Sequence, residues 1–221
     1  MSKIPLRKSS TRTHTTDNKC LFSLYRKAKA LTQKAGYAQE QRLQARAVGH
    51  PFTETDLLRE AAWVILCSGF REKIVRKAFG YISLCFCDWE SACEILKREE
   101  QCREAALCAI RNFGKIDAII AVCRIVDESG FADLKRRIFS DPLKELKKLP
   151  YIGDVTVFHL AKNLGFDLAK PDRHLARIAK ATGYDDVNKM CREISRIWGD
   201  PVSVVDTILW RWAVLKAQMK I

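Results

Sequence analysis

Between residues 149 and 174 the chain reads LPYIGDVTVFHLAKNLGFDLAKPDRH, and no other stretch so restricts what the polypeptide can do. Pro150 lacks a backbone N–H and steers Leu149 out of helical geometry, so a helix arriving from upstream ends near Lys148. Gly153 is the residue expected to take the positive φ of a tight turn. Beyond it Val157, Leu160, Ala161 and Leu164 recur at helical spacing, and Gly165 is placed to cap that helix. The expectation is helix, four-residue hairpin, helix. Such a hairpin turns backbone N–H groups and a helix N-terminus outward together, an arrangement suited to a phosphate oxygen rather than a base edge. Further on, Pro171 sets the approach to Asp172, which stands at the start of a helix read over residues 175 to 182.

The remaining pattern is helical throughout, with no strand alternation and no internal repeat. Residues 1 to 19 lack periodic apolar positions and are expected to be a disordered basic tail. An amphipathic helix is read from Cys20 to about Ala47 through Leu21, Leu24, Tyr25, Ala28 and Leu31, with Gly36 as a break. Thr53 caps the next helix, with Asp56 in its first turn. That helix is apolar on nearly every side through Leu57, Leu58, Ala61, Ala62, Val64 and Ile65, the mark of a central bundle helix. Further helices are read over residues 72 to 86, 89 to 96, 101 to 111, 115 to 129, 131 to 139, 141 to 148, 187 to 198 and 201 to 216. The fold class is therefore all-α.

Composition narrows the partners. No apolar run approaches the roughly 18 residues that span a bilayer, and no apolar stretch resembling a secretion signal follows the basic start. The expectation is an intracellular protein, cytoplasmic or nucleoid-associated, without a membrane partner. Nine cysteines fit a reducing compartment, most of them as buried helix thiols. The net charge of +13 is uneven: residues 1 to 50 hold eleven Lys or Arg against Asp17 and Glu40. A basic leading segment attracts phosphate at long range, though it also serves as a solvated face.

L-P-x-I-G-x-x-T followed at this distance by Asp-x-His resembles the signature of the helix-hairpin-helix DNA glycosylases of the endonuclease III type. The likeness continues upstream through Val64-Ile65-Leu66-Cys67-Ser68-Gly69-Phe70-Arg71-Glu72 and Asn112-Phe113-Gly114-Lys115, covering roughly residues 53 to 215. It implies two helical subdomains flanking a base-accepting cleft: residues 20 to 52 with 166 to 221, and residues 53 to 165 ending in the hairpin of 149 to 165. It also implies double-stranded DNA bearing a damaged or modified base as partner, and a protein acting as a monomer. Two departures stand out. Tyr151 occupies a position where the family usually has glycine, and Val155 stands where the lyase-active members carry their catalytic lysine.

On that resemblance Asp172 is the catalytic carboxylate, stabilising positive charge on the sugar and orienting water; read from its position alone it is a helix N-cap. Tyr151, Ile152, Gly153, Val155, Thr156, Arg173 and His174 are the expected DNA-backbone contacts. Ser68, Gly69, Phe70 and Arg71 correspond to the loop that fills the gap left by an extruded base. The usual polar wedge falls on Gly69, so Phe70 either intercalates or packs as core. Trp210 either lines the pocket by stacking or packs the last helix, and His159 either looks into the cleft or sits in the core. Cys85, Cys87, Cys93, Cys102 and Cys108 have neither zinc-site spacing nor the family's C-terminal iron–sulfur arrangement. No cofactor or metal is expected, although the hairpin leaves room for a monovalent cation.

The function implied is a monofunctional DNA glycosylase in base excision repair, flipping a modified or mispaired base and hydrolysing its N-glycosidic bond. One rival is a bifunctional glycosylase and lyase using a displaced lysine. Lys170 is nearest to the acid, but as an exposed ammonium it would stay protonated near neutrality. The other rival is a non-catalytic helix-hairpin-helix DNA-binding protein. The charge distribution carries its own test. Deleting residues 1 to 19, five basic residues against Asp17, should flatten the slope of log K for duplex DNA against log salt by about 0.9 for each phosphate contact removed. An unchanged slope would make the tail a solubility device.

Overall fold

The computed structural model describes residues 14 to 218, with side chains from Cys20 onward. Among them there are helices and turns but no strands. The first helix, α1 (His14–Lys34), begins six residues before the expected Cys20, so the reading of residues 1 to 19 as one disordered tail fails for its last six; the rest of that tail lies outside the described residues. Gly36, with φ +91°, breaks the chain before α2 (Ala38–Ala47), as its position in the apolar pattern suggests.

α3 (Glu54–Cys67) starts with a reciprocal cap: the Thr53 hydroxyl accepts from the Asp56 amide at 3.1 Å and the Asp56 carboxylate accepts from the Thr53 amide at 2.9 Å. Its Leu57, Leu58, Ala61, Ala62, Val64, Ile65 and Leu66 are all buried, consistent with a central helix. α4 (Glu72–Cys85) follows. The helix read over residues 89 to 96 does not begin at Trp89. Cys87, Asp88 and Trp89 all take positive φ, and the next helix, α5 (Ala92–Lys97), is capped by Ser91. The strained turn drops the Trp89 ring into the core, stacked on Phe86 at 5.1 Å with its N–H donating to the Ser83 hydroxyl at 2.9 Å. A local helical pattern carries no sign of that long indole's destination.

α6 (Glu99–Ala109), α7 (Phe113–Ser129), α8 (Phe131–Ser140) and α9 (Pro142–Leu146) lead to the hairpin. α10 (Thr156–Asn163) leaves it, and α11 (Arg173–Ala181), α12 (Val187–Trp198) and α13 (Val202–Gln218) complete the chain. Gly165 ends α10 at φ +91°, and a Cβ there would stand 2.5 Å from the Ala47 carbonyl oxygen. Glycine is thus demanded twice, by the left-handed turn and by the backbone crossing behind it.

The buried apolar side chains form two clusters. One runs from Phe52 to Leu164 and is built on α3 to α10. The other joins Leu21, Tyr25 and Ala28 of α1 to Ala169, α11, α12 and α13. The chain therefore closes on itself: its first helix packs with its last three, and the middle of the sequence forms a unit of its own. Phe52 belongs to the middle unit, stacked on Phe139 at 5.5 Å, rather than to the terminal one. Only Cys102, Cys123 and Cys191 of the nine thiols are buried, whereas most were expected to be; Cys20, Cys93 and Cys108 are exposed on helix surfaces. No described helix is long and apolar enough to cross a membrane.

Candidate active site

The hairpin after α9 departs from expectation in one backbone angle. Tyr151, not Gly153, takes the positive φ, at +60°. Pro150 has already turned the chain, so the left-handed residue is the one directly after it, and an aromatic residue holds that geometry only because its ring is anchored. The hydroxyl of Tyr151 lies 2.7 Å from where a Cβ on Gly114 would be, and the Lys115 ammonium sits 4.9 Å from its ring centroid. Ile152 is buried in the middle core, and its amide donates to Leu149 O. The Gly153 amide donates to the Thr156 hydroxyl at 2.7 Å. Those two amides are spent within the turn. The amides of Asp154 and Val155 meet no acceptor among the described residues and remain for an anion, with the Asp154 carboxylate itself drawn aside to Lys147.

Lys115 also ties the hairpin to the Ser68–Arg71 turn. Its buried ammonium donates to Ile65 O and, at 2.5 Å, to Ser68 O, the carbonyls that end α3, and it lies 5.6 Å from the Phe70 ring. Burial lowers its pKa. A cation at a helix C-terminus satisfies both orphan carbonyls and the helix dipole. Gly69 stands exposed at the apex with φ +101°, and Phe70 packs partly on the middle core.

Asp172 caps α11, which consequently starts at Arg173 rather than Leu175. One carboxylate oxygen accepts from the His174 and Leu175 amides at 2.8 and 3.0 Å, while the other accepts nothing among the described residues. The same carboxylate lines a cavity of about 360 Å³ between the two cores, together with Phe70, His159, Lys170, Asp206 and Trp210. A wider groove of about 1120 Å³ adjoins it, sharing Trp210 and Arg211 and lined further by Arg71, Lys73, Arg173 and His174. Asp172, Phe70, Arg71, Arg173, His174 and Trp210 are thus brought together, at the mouth or wall of one cleft. Tyr151, Ile152, Gly153, Val155 and Thr156 of the turn line neither space, and Val155 is 41% exposed on the surface.

Lys170 is not the exposed ammonium expected from its loop. It is half-buried in the cavity wall, and its amine has no hydrogen-bond or ion-pair partner among the described residues. Burial lowers its pKa, Lys162 lowers it further, and Asp172 and Asp206 act against that shift. Lys162 and Asp206 pair in the floor, with side chains 12% and 2% exposed. Burial raises the Asp206 carboxyl above the usual carboxylate range in spite of Lys162. Sequence reasoning passed over this pair and the Arg211–Glu40 pair, whose hydrogen bonds measure 2.8 and 2.6 Å. The signal for the first was there: Asp206 is a lone carboxylate in the apolar run VSVVDTIL. No protein-family model, curated protein or solved structure matches this chain.

His159, one helical turn beyond Val155, faces the cavity. Burial, with Lys170 and Lys162 nearby, pushes its imidazole pKa well below the ordinary value. The folded protein therefore holds it neutral while the unfolded chain binds a proton below about pH 6.5, so its contribution to stability falls as pH falls. Against His159→Gln, wild-type unfolding free energy should drop by up to about 1.4 kcal/mol for each pH unit below about 6. Urea titrations of both proteins from pH 7 to 4.5 measure the difference, and parallel curves would place a water-accessible imidazole there.

Proposed function

We propose that this chain is a DNA glycosylase that draws a base out of duplex DNA and hydrolyses its bond to deoxyribose, with Asp172 as the carboxylate beside the sugar. The observation that carries the reading is that Asp172, one of whose carboxylate oxygens accepts no hydrogen bond among the described residues, lines a cavity beside a groove whose wall carries Arg71, Lys73, Arg76, Arg173, His174 and Arg211 against Glu40, Glu60 and Glu72. A negatively charged backbone in the groove would place a flipped nucleotide at the cavity mouth. Its volume lies in the range of small-molecule sites. As the glycosidic bond lengthens, positive charge grows on the sugar, and a fixed carboxylate stabilises it and takes a proton from the attacking water. The cap bonds to His174 and Leu175 hold Asp172 in place at no cost in reorganisation. Phe70 at the cavity edge is a hydrophobic wall for the extruded base, and the free hairpin amides would hold a phosphate at a distance from the chemistry.

Asparagine caps helices as well as aspartate does, which separates the two roles of this residue. Asp172→Asn should keep the melting temperature and duplex affinity while base release falls by about 10²- to 10⁴-fold. Alanine should in addition cost about 1 kcal/mol of stability through the lost cap. Undiminished release in Asp172→Asn would take the catalytic role from Asp172.

A second reading is favoured by one observation, the burial of Lys170. A half-buried, unpaired amine two residues from Asp172, its pKa lowered by burial, is a candidate for attack on the sugar C1′, which would couple base loss to strand cleavage through an imine. Hydrolysis remains the principal reading, since Val155 offers no nucleophile on α10. Borohydride added during turnover decides between them. Hydrolysis predicts an intact abasic strand and no covalent adduct, whereas an adduct that disappears in Lys170→Ala and persists in Val155→Ala would establish the lyase.

A further inference from the structure

The cavity around Asp172 is lined by four carboxylates, Glu40, Glu72, Asp172 and Asp206, and by four Lys or Arg side chains, Arg76, Lys162, Lys170 and Arg211. How they pair determines the charge a guest can carry. Glu40 accepts two hydrogen bonds from Arg211, Glu72 accepts from Arg76 and lies 3.6 Å from Arg211, and Asp206 is held by Lys162. Of these four carboxylates only Asp172 makes no ion pair among the described residues, and on the glycosylase reading it is committed to the sugar. The aromatic walls are taken as well. The guanidinium carbon of Arg211 lies 4.6 Å from the Trp210 ring centroid and 4.7 Å from that of Tyr37, and that of Arg76 lies 5.4 Å from Trp63. Both tryptophans facing the cavity already carry a protein cation.

We propose that this cavity selects a neutral base presenting carbonyl oxygens and rejects one with a fixed positive charge, such as an N-alkylated purine. The inference rests on the glycosylase reading and narrows its substrate class. A cationic base gains from a site by cation–π stacking and by unpaired carboxylates. Here a second cation would meet Arg211 or Arg76 on the ring faces, and the carboxylates it could approach are neutralised. The Lys170 amine, with no partner of its own, repels a cation when protonated and offers a donor to a carbonyl oxygen in either state. Gln44, whose amide makes only a 3.5 Å contact with Lys162 O, adds a second donor in the wall. Lys170 and Gln44 thus place two donors in the wall that a carbonyl oxygen of a neutral base can use.

The test is single-turnover base release by the full chain from duplexes carrying one uracil, hypoxanthine or 8-oxoguanine, or one N7-methylguanine or N3-methyladenine. Uncatalysed loss is subtracted, and Asp172→Asn serves as the blank. At least one neutral base should be released with an acceleration about tenfold or more above that of either cationic base, the size of one desolvated cation–π contact. Cationic bases released as fast or faster would overturn the inference and leave the glycosylase reading standing. Release of no base at all would overturn both. Arg76→Met uncovers Trp63 and leaves Glu72 only its 3.6 Å contact with Arg211, and Lys170→Met removes the unpaired cation. Each should move the ratio of cationic to neutral release upward by about tenfold. A ratio unmoved in both, with melting temperatures at the wild-type value, would sink the assignment of selectivity to these charges.

Discussion

Lys162 and Asp206 meet across the seam between the two apolar cores, and the cleft depends on that contact. Lys162 belongs to α10, the helix leaving the hairpin, and Asp206 to α13, which packs on the first helix of the chain. The other Asp206 oxygen accepts from the Lys170 amide at 3.3 Å, so one carboxylate holds the floor, the last helix and the segment that delivers Asp172. Taking both charges out of water is costly, and removing either partner of such a pair costs about 3–5 kcal/mol because the other is left buried alone. An apolar seam of similar volume is often as stable as such a pair, but it would lack the bonds by which Asp206 holds both Lys162 and the Lys170 amide.

Lys115 does the corresponding work at the edge of the cleft. Its ammonium fills the C-terminal end of α3 and lies beside the rings of Phe70 and Tyr151, so the Ser68 turn and the hairpin are held by one buried charge. Gly114 is glycine because the Tyr151 hydroxyl lies against it. Tyr151 and Gly114, 37 residues apart, are therefore matched, the tyrosine hydroxyl taking the space that a side chain at 114 would need. The left-handed strain at Tyr151 is offset by that anchoring, and Lys115 ties the loop and the hairpin together.

Most of the helical layout was legible because it is local. Thr53 with Asp56, Asp141 with Pro142, and Gly165 after an apolar stripe are read within a few residues, and the structure caps or ends helices at each. The misreadings share a different cause. Trp89 sits in a left-handed turn because its indole reaches Phe86 and Ser83, and Lys170 is half-buried in the cavity wall, where its amide bonds Asp206 of α13. Neither destination leaves a trace in the periodicity of its own segment.

By itself the sequence determined that this chain is all-helical, that a proline and a glycine interrupt it at a hairpin, and that a capping acid follows at fixed distance. Backbone propensity and capping chemistry act over a few residues, and a linear pattern contains them. Only the tertiary structure decided that Asp172 lines a cavity with one oxygen unpaired, that Lys170 is half-buried in its wall, and that Arg76 and Arg211 lie over its tryptophans. Those are relations between helices distant in sequence. They are set by how two cores pack, which is where burial and charge pairing take their values.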